Sequence, residues 1–219
     1  MSCVLYLHGF ASGPTSAKGQ FFQRRFAEAG ITVHQPDLAE GDFSSLTVTR
    51  QLEAARRAAE AVQPSLVIGS SLGGYVAALL AAARPETIPA LVLLAPAFDF
   101  ARRWAERLGE AEMAAWKEFG ALEVYHYGEK RDLPLHYEFY EDALKHEPFP
   151  AFAQPCLILH GLRDEVVDAN QSIHYAQGKS NIRLEIVDSD HVLTDCLDDL
   201  WAWVYDFYRT HEPAQRRDA

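Results

Sequence analysis

The chain has 219 residues, a length typical of one domain that can bury a core of its own. Hydrophobic residues make up 48% of the chain and charged residues 23%, as in soluble globular proteins. The 20 Lys and Arg against 31 Asp and Glu give a net charge of −11, which argues against nucleic acid or an anionic membrane as a partner.

The beginning of the chain and its cysteines indicate where the protein works. Met1 to Val4 lead directly into an apolar stretch, without the basic start and apolar segment of a secretory signal. No apolar run approaches the ~20 residues that a membrane helix needs. The three cysteines and the remaining histidines have no spacing typical of metal ligands. We therefore predict a cytoplasmic protein without metal, cofactor or membrane contact, whose oligomeric state stays open.

Apolar stretches of strand length recur along the chain and contain many β-branched residues. Runs of this kind are typical of strands that are buried on both faces of a sheet. They cover Cys3 to Leu7, Ile31 to His34, Leu66 to Ile68, Leu91 to Ala95, Cys156 to Leu159, and Ile182 to Val187.

Helix-like stretches separate the first strands. Ser16 to Ala29 ends at Gly30, a common helix stop, and Thr47 to Val62 has apolar or alanine positions along one side. Leu72 to Ala83 is rich in alanine and is soon followed by Pro85. This alternation predicts an α/β fold of three layers, with a mostly parallel sheet of about six strands between helices. Such sheets bind ligands at the carboxyl ends of their strands.

The first strand ends in His8-Gly9-Phe10. Acyl transfer needs backbone N–H donors aimed at the oxyanion that develops on the substrate carbonyl. We expect the N–H of Phe10 to be one of these donors. We interpret His8 as a residue that shapes the loop, because it is tied to a strand end and followed by glycine.

The third strand leads into GSSLGG at 69–74, which fits the pattern of a nucleophile elbow. Two adjacent serines raise the question of which one would attack. Only Ser71 has glycine two residues before and two residues after it, namely Gly69 and Gly73. Side chains at those places would collide across a sharp strand-to-helix turn, so the spacing selects Ser71. The N–H of Leu72 is then the second oxyanion donor.

The region at about 97–153 breaks the strand–helix rhythm and is rich in aromatic residues. A helical stretch from Phe100 to Phe119 comes first, and Leu122 to His126 is expected to pair with Leu133 to Tyr137 as a hairpin. We interpret the region as a lid inserted into a single domain that spans residues 1–219. Tyr137 and Tyr140 are our candidates for substrate-binding residues, although most of these aromatics are expected only to pack the lid onto the domain.

The fifth strand is followed by HGLRDEVV at 160–167. Asp164 follows the strand-ending Gly161 by three residues, and we expect its carboxylate to orient a histidine and stabilise its imidazolium form. The alternative is a turn or capping role. Asp168 is better placed for capping, because it directly precedes the helical stretch that starts at Ala169.

The last strand is followed by Ser189-Asp190-His191. We expect His191 to open the final helix and to reach over the edge of the sheet towards Ser71. The order Ser71, Asp164, His191, each after a predicted strand, is the chain order of the α/β-hydrolase triad. This conjunction favours a catalytic role for a histidine that alone would be more common as a surface or core residue.

Taken together, these motifs resemble the α/β-hydrolase superfamily over essentially the whole chain. The opening YLHGFASGPTSAKGQ and the later HQPDL are more narrowly similar to the YqiA/YcfP-like bacterial esterases. The part from LILHGLRDEVVD to SDH is also similar to serine hydrolases that remove acyl groups from protein cysteines. The resemblance implies a serine hydrolase with Ser71, Asp164 and His191 as its triad and with Phe10 and Leu72 as its oxyanion donors.

The chain departs from the superfamily in two places. The full fold begins with an antiparallel pair of strands, whereas this chain opens at the strand that leads to the oxyanion loop, so we expect a reduced sheet. The related HGxxDxxVP pattern ends here in Asp168 where proline is common, which leaves the place of Asp164 unchanged.

The sequence therefore predicts an enzyme that hydrolyses carboxylic esters of small acyl groups through an acyl-enzyme. Its partner would be a small-molecule ester or thioester substrate. A thioesterase acting on small molecules or on acylated proteins, or a peptidase, is the alternative among enzymes, because attack by the serine is the same for all of them. A hydrolase fold without activity, used for binding, is the alternative from another class.

Overall fold

The computed structural model describes residues 2–211, which form two sheets with helices around the larger one. The larger sheet has six strands in the order β2-β1-β3-β4-β7-β8, and every neighbouring pair in it is parallel. Its strands are β1 (Cys3–Leu7), β2 (Thr32–His34), β3 (Leu66–Ser70), β4 (Leu91–Leu94), β7 (Cys156–Gly161) and β8 (Ile182–Val187). The predicted α/β fold with a parallel sheet of about six strands is confirmed.

Helices alternate with the strands of the larger sheet, except between β4 and β7, where three helices and a hairpin intervene. The helices are α1 (Ala17–Glu28), α2 (Val48–Val62), α3 (Leu72–Ala83), α4 (Phe100–Leu108), α5 (Glu110–Phe119), α6 (Glu138–Ala143), α7 (Asn170–Ala176) and α8 (Leu197–His211). The side chain of Ser16 caps α1 by accepting a hydrogen bond from the N–H of Gly19, and Thr47 caps α2 through the N–H of Arg50.

Each face of the large sheet has its own hydrophobic core. On one face, Leu5, Val67 and Leu93 pack in a cluster with residues of α2 and α3. On the other face, Tyr6 and Val92 pack in a cluster with residues of α1 and α8. Because successive side chains of a strand point to opposite faces, continuous apolar strands supply both cores.

One predicted helix is two helices in the structure. The stretch from Phe100 to Phe119 breaks at Gly109, which has φ 80° and ψ 163° and separates α4 from α5. That region of backbone conformation is essentially restricted to glycine. A single glycine within a helical pattern is often tolerated, so the sequence alone does not distinguish a break from a continuous helix.

The region between β4 and β7 also contains the second sheet. Its strands β5 (Ala121–His126) and β6 (Arg131–His136) pair antiparallel, with Leu122 opposite Leu135. A hairpin therefore forms where the strand-like pieces of the sequence predicted one. Within residues 2–211, no helix combines the length and the apolar character needed to cross a membrane.

Candidate active site

Ser71 lies at the turn between β3 and α3, in a strained backbone conformation. Its φ of 53° and ψ of −117° lie outside the regions that non-glycine residues ordinarily adopt. The surrounding backbone holds it there. The N–H of Ser71 donates to the carbonyl of Leu94 at 2.9 Å, and its own carbonyl accepts hydrogen bonds from Gly74, Tyr75 and Ala97 at 2.9–3.1 Å.

The glycines on either side of Ser71 are required by close backbone contacts. A Cβ on Gly69 would lie 2.7 Å from the Cα of Gly74, and a Cβ on Gly73 would overlap the carbonyl oxygens of Leu7 and His8. The helix that follows Ser71 thus begins directly against the ends of β3 and β1. Only glycine allows this approach, which is the physical basis for the spacing that singled out Ser71.

The structure brings the three predicted catalytic side chains into one hydrogen-bonded chain. The Oγ of Ser71 lies 3.0 Å from the Nε2 of His191, and the Nδ1 of His191 lies 2.7 Å from the Oδ2 of Asp164. A carboxylate only accepts, so the Nδ1 of His191 carries the hydrogen and its Nε2 is left to accept from the hydroxyl of Ser71. The strands before these residues all end at the same edge of the sheet.

The position of His191 differs from the prediction in one respect. It lies in the loop between β8 and α8, six residues before α8 begins at Leu197, and does not open the helix. Two backbone N–H groups, those of Val192 and Leu193, donate to the Oδ1 of Asp190 at 2.8 and 3.1 Å. This turn takes the place of a helical start and aims His191 back over the sheet.

The carboxylate of Asp164 is completely buried and fully hydrogen-bonded. Its Oδ1 accepts from the N–H groups of Val166 and Val167 at 2.9 and 2.7 Å. Burial acts to raise the pKa of Asp164, but hydrogen bonds from His160, His191 and the Val167 N–H outweigh it and hold the pKa well below its usual range. Asp164 therefore stays ionised, as a residue that orients an imidazolium must.

The neighbouring Asp168 has the capping position expected of it. Its Oδ1 accepts a hydrogen bond from the N–H of Asn170, the first residue of α7, at 2.9 Å. Of these two carboxylates, that of Asp164 contacts His191.

Leu72 and the loop that carries Phe10 both lie next to Ser71. Leu72 is the first residue of α3, and an N–H at this position has no partner within its own helix. Phe10 follows Gly9, whose Cβ, if present, would lie 3.5 Å from the Cβ of Ser71. The loop after β1 therefore runs directly beside the elbow.

His8 holds that loop in place. Its Nε2 accepts a hydrogen bond from the N–H of Leu38 at 3.2 Å, and its Nδ1 lies 3.0 Å from the carbonyl of Gly9. Burial lowers the pKa of His8. These contacts fit the loop-shaping role that we predicted for it.

Aromatic side chains surround Phe10. Its ring contacts Trp104 of α4 edge-on, with a centroid distance of 4.6 Å, and lies 5.5 Å from Phe139 and 5.6 Å from Phe43. The structure places Tyr137 and Tyr140 elsewhere in the same region. Their rings pack against Trp116 at 5.3 and 6.4 Å, and their assignment to the substrate pocket stays a prediction.

Sequence reasoning assigned no role to two ionisable residues near the site. His160 in β7 donates to Asp164, and the only signal for it was the second occurrence of a strand ending in His-Gly. Lys18 of α1 has its pKa lowered to about 8 by burial, which outweighs the opposite effect of the carboxylates of Asp164 and Asp190. Nothing in the spacing of the sequence points to Lys18.

No group of three His, Cys, Asp or Glu side chains within residues 2–211 has the arrangement of a metal site.

Comparisons with known proteins add a family and relatives. The model of an uncharacterised protein family, UPF0227, matches residues 3–208. The chain is 31% identical over 147 residues to palmitoyl-protein thioesterase ABHD10, mitochondrial, of Rattus norvegicus. The matched stretch covers 62% of this chain and 48% of the relative. The match thus spans about half the length of that relative.

Solved structures agree with the architecture. Est1E from Butyrivibrio proteoclasticus superposes with a TM-score of 0.77 and 21% identity, covering 96% of this chain and 88% of that one. Alpha/beta hydrolase domain-containing protein 10 from mouse superposes with a TM-score of 0.75 and 19% identity, covering 95% and 90%. At these identities the likeness establishes the fold alone.

Proposed function

This chain belongs to the uncharacterised protein family UPF0227 and has the α/β-hydrolase fold, and from these premises we propose that it is a serine hydrolase of carboxylic esters. The observation that carries the proposal is the unbroken hydrogen-bonded chain from Ser71 through His191 to Asp164, at 3.0 and 2.7 Å. Nucleophile, base and orienting carboxylate are within hydrogen-bond reach of one another, as covalent acyl transfer requires.

In the first half of the reaction, His191 accepts the proton of Ser71 as Oγ attacks the ester carbonyl. The new oxyanion receives hydrogen bonds from the N–H groups of Phe10 and Leu72. The bond to the leaving alkoxide then breaks, and His191 donates the proton to it. The products of this half are an alcohol and an acyl ester of Ser71.

In the second half, water takes the place of the alcohol. His191 accepts a proton from the water, whose oxygen bonds to the acyl carbon, and the bond between that carbon and Ser71 breaks. The proton returns to the Oγ of Ser71 and the carboxylic acid leaves. Asp164 stays ionised throughout and stabilises the imidazolium form of His191 in both halves.

We further propose that residues 97–153 act as a lid that supplies the acyl pocket. The support is the packing of Phe100, Trp104 and Phe139 from this region against Phe10, next to the proposed oxyanion donor. Pockets for small ligands are lined mainly by apolar and aromatic side chains. Short or medium acyl chains suit a pocket of this kind, and Tyr137 and Tyr140 are proposed to lie farther along it.

A thioester is the second candidate substrate. The observation that favours it is the name of the curated relative, a palmitoyl-protein thioesterase. A thiol leaves as a thiolate more readily than an alcohol leaves as an alkoxide, since its pKa is much lower. Paired oxygen esters and thioesters of the same acyl group, compared by kcat/KM, distinguish the two. The cytoplasmic location and the absence of membrane contact stay predictions.

Labelling with a fluorophosphonate probe tests the proposal against a fold used only for binding. We expect the probe to modify the wild-type protein at Ser71, as located by mass spectrometry of its peptides. Ser70→Ala is the matched control, because it changes the adjacent serine and leaves Ser71 in place. A wild-type protein that stays unlabelled, or is labelled equally well as Ser71→Ala, would refute the proposal.

A further inference from the structure

His160 is a buried histidine in contact with the carboxylate of Asp164. It is the fifth residue of β7, and its side chain has 0% exposure. Its Nε2 lies 2.9 Å from the carbonyl oxygen of Val167 and 3.2 Å from the Oδ2 of Asp164. Its Nδ1 lies 2.7 Å from the Oγ of Ser172 in α7. Both ring nitrogens of this buried histidine are therefore engaged.

The partners of His160 determine where its hydrogen is. A carbonyl oxygen and a carboxylate oxygen can only accept, so the Nε2 of His160 carries a hydrogen that Val167 and Asp164 share. The hydroxyl of Ser172 can donate or accept and completes the bonding at Nδ1. The ring is consequently fixed in orientation by three contacts from two different elements.

This donor completes the hydrogen bonding of Asp164. Two backbone N–H groups occupy Oδ1, while His191 and His160 both donate to Oδ2. Through Val167, His160 also holds the far end of the turn that carries the carboxylate. Loss of its N–H would free both the carboxylate and the turn to move.

We infer that His160 is a positioning residue for acyl transfer, which acts on His191 through Asp164 and extends the chain Ser71–His191–Asp164 to Ser172. The inference rests on the proposed function. His160 touches neither the substrate nor the reacting atoms. Its role is to keep Oδ2 of Asp164 aimed at His191 and to disperse part of the negative charge of the carboxylate.

His160→Met tests this role directly. Methionine fills much of the same space but has no N–H, so one hydrogen bond to the carboxylate is lost. We expect kcat for p-nitrophenyl acetate to fall about 10-fold or more, with KM changed less than about twofold, because positioning acts on the chemical step.

The pH profile separates positioning from simple core packing. With fewer donors, the carboxylate of Asp164 interacts more strongly with protonated His191, so a higher pH is needed to free the base. We expect the acid limb of the rate of fluorophosphonate labelling to move up by about half a pH unit in His160→Met. His160→Gln keeps an amide N–H at about the place of Nε2, and we expect it to restore the wild-type limb.

The matched control is Ile158→Val, a buried position two residues earlier on the same face of β7. It weakens packing without touching Asp164, so the melting temperature should fall while the pH profile stays that of the wild type. If His160→Met does not fold, Ser172→Ala keeps the histidine but releases its Nδ1. This variant should move the acid limb in the same direction, by a smaller amount.

The outcomes separate this inference from the proposed function. A wild-type protein that does not react with the probe refutes both. A reactive wild type, together with folded His160→Met or Ser172→Ala variants of unchanged kcat and unchanged acid limb, refutes the role of His160 alone. A shifted limb in His160→Met that His160→Gln restores supports it.

Discussion

Ser71 combines three structural constraints. Its backbone has a positive φ, its flanking positions require glycine, and its Oγ meets His191 at 3.0 Å. A non-glycine residue at such a φ costs free energy of order 1–3 kcal/mol unless the surroundings impose it. The four backbone hydrogen bonds that hold Ser71 impose that conformation, and the strained turn presents the hydroxyl at the tip of the elbow.

Lys18 gives a prediction at the scale of one residue. Its pKa of about 8 in the folded protein lies below the value near 10.4 expected when unfolded, so folding disfavours its charged form. Between about pH 8 and 10.4, Lys18 therefore binds more protons in the unfolded chain than in the folded protein. Its contribution to the free energy of unfolding rises with pH across that window. Below about pH 8 the buried, charged lysine lowers the free energy of unfolding by an amount that does not change with pH.

Urea unfolding of Lys18→Met at several pH values checks this prediction. We expect the variant to be more stable than the wild type at pH 7, with a difference that shrinks as the pH rises from about 8 towards 10.4. A difference that is independent of pH over this window would show that Lys18 is not perturbed by folding.

At the scale of elements, α4 packs through Trp104 and Phe100 onto Phe10 in the loop after β1, and neither Trp104 nor Phe100 is completely buried. Two neighbouring tryptophans of this region differ in their hydrogen bonding. The indole N–H of Trp116 donates to the carbonyl of Leu135 at 2.8 Å, whereas the buried Nε1 of Trp104 has no partner within the described residues.

This difference predicts unequal effects of the same substitution. Trp104→Phe removes a donor that has no partner within the described residues, while Trp116→Phe removes the hydrogen bond that its indole donates to the carbonyl of Leu135. We expect the free energy of unfolding to fall by about 1–3 kcal/mol more for Trp116→Phe than for Trp104→Phe. Urea unfolding measures both, and equal losses would contradict the assigned hydrogen bonding.

The break between α4 and α5 gives a second prediction at this scale. An alanine at Gly109 would have to adopt a φ of 80° and a ψ of 163°, so Gly109→Ala should lower the free energy of unfolding by about 1–3 kcal/mol. The control is Gly13→Ala, since Gly13 has no positive φ and no atom within 4 Å of a Cβ placed there. If both alanine variants unfold at the same urea concentration, the break is not conformationally required.

For the whole molecule, the sequence predicted most of the strands and helices and their arrangement around a parallel sheet. Strand boundaries lie within two residues of the expected ones because continuous apolar runs are a strong signal for a sheet buried on both faces. Ser71, Asp164 and His191 each follow a predicted strand. Because parallel strands all end on the same side, the sequence also predicted that these residues lie at one edge of the sheet.

The features that the sequence did not predict depend on particular conformations and contacts that its patterns do not specify. His191 lies in a loop and not in a helix because the side chain of Asp190 binds the backbone that follows it. The break between α4 and α5 depends on the backbone conformation of Gly109. Likewise, His160 is 12 residues from Ser172 along the chain, and only the fold brings the two together. Local patterns carry no information about such contacts.

If Ser71 is the nucleophile of an ester hydrolase, turnover of p-nitrophenyl acetate requires its hydroxyl, so the wild type and Ser71→Ala are compared in this reaction. We expect the wild type to release p-nitrophenol steadily, and Ser71→Ala to fall by about 10³-fold or more with an unchanged melting temperature. Ser70→Ala should keep its activity within about tenfold, since only the hydroxyl of Ser71 meets the base. Undiminished turnover by a folded Ser71→Ala variant would show that Ser71 is not the nucleophile.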